Sequence, residues 1–215
     1  EMCIRDSRFT TAQLTLLGLM AAILLLMAYT PLGYLNIGPL AVTFNVIPVA
    51  VCAIVLGPTG GAIAGAVFGL TSFMQAIGIG GVSALGSALF QINPFMTAVQ
   101  CFGPRILDGI CIGFIYRAVH KKANTYVSCA VTGFFSAFLN TLFFMTALIV
   151  MFGNTELIRN LMGGHNIIVG CCLMVGVNAI SEMVSSTIIT AAVGTALSKA
   201  HLIPAVQIVK TDTAA

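Results

Sequence analysis

Charge is what this sequence has least of. Of its 215 residues only 7% are Asp, Glu, Lys or Arg, against about 25% in an ordinary soluble domain. Between Arg8 and Arg105 lie 96 residues without one charged side chain, and a second uncharged run covers positions 123–155. No water-facing surface can be built from such stretches, so the chain reads as an all-α integral membrane protein. Chemical motifs are missing as well. The sequence has no phosphate loop, no zinc-binding H-E-x-x-H and no nucleophile elbow, which leaves no ATPase module and no reason to expect an enzyme, a cofactor or a nucleic-acid partner. Its seven cysteines include no C-x-x-C and no metal-type spacing with His, and they read as small packing residues. Each span takes about 20 apolar residues, so the length accommodates a bundle of six helices with short loops and no separate soluble domain.

What is present divides cleanly. Residues 1–7, "EMCIRDS", are polar and read as a non-native or disordered leader; residues 8–200 hold the six-helix domain, and 201–215 form a tail. Pro, Gly and charge punctuate spans at 11–29, 42–56, 60–77, 94–116, 126–151 and 168–197. "GPTGG" at 57–61 is a tight turn, and 78–93 reads as a longer, flexible, uncharged loop. Span two is short, which suggests that the chain around Asn36 to Val42 dips into protein rather than lipid. One side carries Arg5, Arg8, Arg117, Lys121, Lys122, Lys199 and Lys210, the other only Arg159. The positive-inside rule then makes both termini cytoplasmic and turns loops 78–93 and 152–166 outward. His120 and His201 read as solvated, while His165 lies in the outer loop.

Polar side chains inside the spans carry the functional signal. Counting residues from the cytoplasmic helix ends at about 1.5 Å each, Arg105, Asn45 and Thr71 sit about 18 Å up and Gln75, Asn140 and Glu182 about 24–26 Å up. Asn93, opening span four, and Asn178, one turn before Glu182, complete the candidate contacts. An arginine or aspartate at mid-membrane costs about 2.5–3.5 kcal/mol on insertion scales, so Arg105 and Asp108 must face the bundle interior. Two readings of them stay open. As an i, i+3 pair they neutralise each other, or they belong to a polar pocket that opens outward. Each lone Asn or Gln has likewise a bland reading as glue between helices. Gly61, Gly65 and Gly69 share one face of span three, and Gly18 and Ala22 one face of span one, where another backbone can approach closely.

These residues carry a family resemblance. "VTFNVIPVAVCAIVLGPTGGAIAGAVFGLTSFM", then "NPF" and "GPRILDG", then "SAFLNTLFFM", set in six spans, resemble the substrate-binding S component of energy-coupling factor (ECF) vitamin transporters, and most of all its pantothenate-specific branch. The resemblance implies that Arg105 and Asn140 hold the vitamin, and that the protein works in the bacterial cell membrane with a transmembrane T component and two cytoplasmic ATPases, toppling to release its cargo inward. Two positions depart from the family pattern: Asp108 stands where an apolar residue is expected, and Gly18 with Ala22 replaces the usual Ala-x-x-x-Ala of the coupling face. The alternatives are an S component for another vitamin such as riboflavin or folate, a self-sufficient proton-coupled transporter using Asp108 or Glu182, and an intramembrane enzyme built on those two acids.

Overall fold

The computed structural model describes residues 11–30, 34–36, 41–80, 83–161 and 167–200. The leader, the tail with His201, His165, and Arg5, Arg8 and Lys210 of the charge count lie outside them. In chain order the elements are α1 (Thr11–Tyr29), β1 (Tyr34–Asn36), β2 (Ala41–Thr43), α2 (Val46–Ile77), α3 (Ala84–Ile92), α4 (Pro94–His120), α5 (Thr125–Phe152), α6 (Glu156–Leu161) and α7 (Ile167–Lys199). Five of these helices are long and apolar enough to cross a membrane. Their outer surface suits lipid: Leu26, Ile63, Phe114, Val150 and Ile188 are all exposed. The two strands form a small antiparallel ribbon pairing Tyr34 with Thr43 and Asn36 with Ala41.

α2 is interrupted. Gly57 sits at φ 73°, ψ −164°, a backbone state that only glycine adopts without strain, and Pro58 follows it, unable to donate to the preceding turn. The chain doubles back here. A Cβ placed on Gly61 would lie 3.0 Å from that of Ala53, whereas eight residues of straight helix span about 12 Å. The first limb, running to Leu56, is buried along its whole length.

The second limb of α2 lies against α4 with glycine at the seam. A Cβ on Gly61 would strike the carbonyl of Gly109, one on Gly65 the carbonyl of Arg105, and one on Gly69 would come within 2.9 Å of the carbonyl of Cys101. Gly113 closes the series against Pro58. The "GAIAGAVFG" stripe is thus an internal packing face. At Gly61 and Gly65 backbone meets backbone, with no α4 side chain between to absorb error.

Two loops hold more order than the sequence suggested. Positions 78–93, read as a flexible loop, contain α3, whose N-cap Ser83 accepts a hydrogen bond from the Gly86 N–H at 3.2 Å. Positions 152–166 contain α6. Leu89 of α3 and Ile158 of α6 join Met145, Leu148 and Phe152 in a second apolar cluster at the end of α5, and burying that apolar surface offsets the cost of ordering both segments. His120 is the last residue of α4 and stacks on Tyr116 with ring centroids 5.1 Å apart, so it is not simply solvated.

Candidate functional site

The position of Arg105 follows from its neighbours in sequence. Pro104 lies inside α4 and has no N–H to give to the carbonyl four residues back. That carbonyl belongs to Gln100. Arg105 fills the gap: its Nη1 donates to the Gln100 oxygen at 2.9 Å. The Pro-Arg pair therefore frees an acceptor and supplies the donor that turns the guanidinium along its own helix toward the start of α4. The Arg105 backbone packs on Gly65, eight residues past Gly57 and so about 12 Å above the turn. Its side chain climbs five further residues, which puts the charged group close to the ~18 Å level of Asn45.

Aromatic rings from two other helices complete the mount. The guanidinium carbon lies 5.3 Å from the ring centroid of Phe68 on α2 and 4.6 Å from that of Phe144 on α5. Both distances fall within cation–π range. Gln100 then ties α4 to α5, its Nε2 donating to the Phe144 carbonyl at 2.9 Å. Because the two helices run antiparallel through this pair, Asn140, four residues before Phe144, falls level with Pro104 and Arg105. Packing of Gly133 on Ser186 and Thr190, and of Gly194 on Cys129, sets the α5–α7 register and brings Asn140 level with Glu182.

Glu182 reaches the ribbon. Its Oε1 accepts from the Thr43 N–H at 2.6 Å and from the Thr43 hydroxyl at 3.2 Å. Two residues on, Asn45 is fully buried, and the Ser136 hydroxyl of α5 donates to the Val46 carbonyl at 3.3 Å. Four chain segments contribute polar residues to this part of the bundle: α4 with Arg105 and, about one turn nearer Gly57, Asp108; α5 with Asn140; α7 with Glu182; and the entry to α2 with Thr43 and Asn45. Asn178 lies one turn away on α7 and is buried.

Several buried polar atoms in this part of the bundle have no protein partner among the described residues. They are both amide atoms of Asn45, Oε1 of Gln100, Oδ1 of Asp108 and Oδ1 of Asn140. Burying such an atom unpaired costs about 1–3 kcal/mol, so each calls for a partner that the described residues do not supply.

Other candidates spend their polar atoms on structure. The Thr71 hydroxyl donates to the Phe68 carbonyl of its own helix, Gln75 Nε2 donates to the Ala28 carbonyl of α1 at 2.7 Å, and the Asn93 side chain accepts from the N–H groups of Phe95 and Met96 as the N-cap of α4. Gly18 and Ala22 lie on the exposed face of α1, opposite the buried stripe Leu16, Met20, Leu24 and Ala28. Cys52, Cys101 and Cys129 are buried free thiols. Sequence reasoning overlooked Gln100, Phe68, Phe144 and Thr43. For Gln100 a signal was available: it sits four residues before a helical proline, the position whose carbonyl must find a new donor.

Comparison with known proteins adds an independent finding. Residues 12–194 match the family model described as "ECF transporter, substrate-specific component". The chain is 32% identical over 197 residues to a protein of Leuconostoc mesenteroides named "Pantothenate transporter PanT", covering 87% of this chain and 92% of that one. It is 27% identical over 203 residues to the "Pantothenic acid transporter PanT" of Lactococcus lactis, covering 88% and 95%.

Proposed function

Because this chain belongs to the family of substrate-specific components of ECF transporters, and is therefore a multi-pass bacterial membrane protein of transport and not an enzyme, we propose that it is a pantothenate-binding subunit. The supporting observation is the guanidinium of Arg105 mounted between Phe68 and Phe144, on a helix bundle that also buries polar atoms of Gln100, Asp108, Asn140 and Asn45 with no partner among the described residues. Pantothenate presents a carboxylate, a secondary amide and two hydroxyls. Arg105 takes the carboxylate through charge-assisted bonds, often two in parallel, while Asn140 and Asn45 orient the amide and hydroxyl groups. Asp108, Glu182 and Asn178 flank the site on α4 and α7; Thr71, Gln75 and Asn93 hold the helices that shape it. Release to the cytoplasm is driven by a T component and two ATPases, and the exposed Gly18–Ala22 face of α1 docks that module.

The chain crosses the membrane six times with both termini inside. The fold-back at Gly57 supports counting the two limbs of α2 separately, and the Lys and Arg distribution supports the orientation.

Calorimetry on the purified protein tests the substrate, using pantothenate and its alcohol analogue, which lacks the carboxylate. Pantothenate should bind far more tightly. Charge-assisted bonds contribute about 1.5–3 kcal/mol each, so Arg105→Ala should weaken binding about ten- to several-hundred-fold and leave the alcohol little changed. Equal affinity of the unaltered protein for acid and alcohol would remove the carboxylate role of Arg105.

A further inference from the structure

We infer that Gln100 is a ligand contact that selects for a secondary amide beside the carboxylate, an inference that rests on the pantothenate reading of this site. The orientation of its side-chain amide is decided by chemistry. The group facing the Phe144 carbonyl, 2.9 Å away, must be the NH₂, because a carbonyl can only accept. The flipped form would set two acceptor oxygens against each other. Oε1 is therefore fixed on the other side of the group, buried and without a donor among the described residues, in a residue only 1% exposed.

Gln100 is also the residue whose main-chain oxygen holds Nη1 of Arg105. The acceptor Oε1 and the main-chain oxygen that holds the guanidinium thus belong to one residue, Gln100. A ligand whose carboxylate sits on Arg105 satisfies Oε1 if it carries an N–H or O–H a few bonds from that carboxylate. In pantothenate two methylenes separate the carboxylate from the amide N–H. The hydroxyls lie beyond the amide, at the far end of the molecule, so the N–H is the donor that falls within reach. A fixed buried acceptor discriminates against analogues that lack the donor, because they leave it unpaired. Selection for the amide thus sits on α4, beside the arginine that takes the acid.

The test compares pantothenate with the ester in which oxygen replaces the amide N–H. The unaltered protein should bind the amide at least about ten-fold more tightly than the ester. Gln100→Met keeps length and volume but removes the acceptor, and it should bring amide and ester to within about two-fold. The ratio isolates the contact, since loosening of the α4–α5 link weakens both ligands together. An unaltered protein that binds amide and ester equally overturns the inference and leaves the pantothenate reading standing, whatever becomes of the variant. A preference that survives in Gln100→Met also overturns it. An unaltered protein that binds neither ligand removes both readings.

Discussion

At the scale of the residue, the site is governed by a missing hydrogen. Pro104 withholds the N–H that would occupy the Gln100 carbonyl, and Arg105 takes its place. Pro104→Ala should restore that main-chain bond, raise the thermal unfolding temperature of the protein in detergent and lower pantothenate affinity several-fold by competing for the carbonyl. A variant that gains stability and keeps full affinity would show that the arginine needs no such mount. Asp108 supplies the second prediction. Its Oδ1 has no donor among the described residues, and in its ionised form it would oppose a ligand carboxylate at Arg105, so Asp108→Asn should hold affinity constant or tighten it by up to about ten-fold. Calorimetry that shows weaker binding would instead make this acid a direct ligand contact. The polar residue types were visible in the sequence, but their employment was not. Asn93 followed by Pro94 carried a capping signal, a favoured N-cap residue before proline at the first helical position, and the side chain is spent there. Gln75 and Asn45 look alike as single letters; one bonds the α1 backbone and the other has no partner among the described residues. Only the neighbouring helix decides which is which.

Elements were legible where composition alone defines them. α1 runs from Thr11 to Tyr29 as the apolar run between polar positions suggests, and "GPTGG" marks the reversal because glycine and proline leave the backbone few alternatives there. The elements that depend on distant partners were not legible. α3 and α6 are short and owe their order to the apolar cluster at the end of α5. The glycine stripe was readable as a close-approach face, though its partner helix was not. That seam yields a sharp expectation. Adding one methyl at Gly65 forces the Arg105 main chain outward, since backbone cannot rotate away as a side chain does. Gly65→Ala should cost about 1–3 kcal/mol of stability and weaken pantothenate binding as well. Gly103→Ala, where nothing lies within 4 Å of the added group, should change neither. Thermal unfolding followed by calorimetry on both variants checks the pair.

At the scale of the whole molecule, orientation and coupling can be measured directly. A reporter fused after Lys122 should lie in the cytoplasm and one inserted within 153–160 should be external; the reverse pattern, or an odd number of crossings, would end the six-span reading. Gly18→Leu, on the exposed face of α1, should leave binding intact and reduce uptake by cells that supply the partner proteins. Concentrative uptake by this chain alone under a proton gradient would favour a self-sufficient transporter. The glycine seam bears on the whole assembly in another way. Its contacts recur every four residues, so the stripe alone resembles a ratchet whose teeth also mesh one notch along, with Gly65 set against Gly109 and Arg105 carried about 6 Å off station. An end stop removes that ambiguity. Pro58 abuts Gly113, and the Arg117 side chain covers Gly57, so the helices can engage at one notch only. The turn at Gly57 thus acts as the zero mark of a scale on which the height of Arg105 is read.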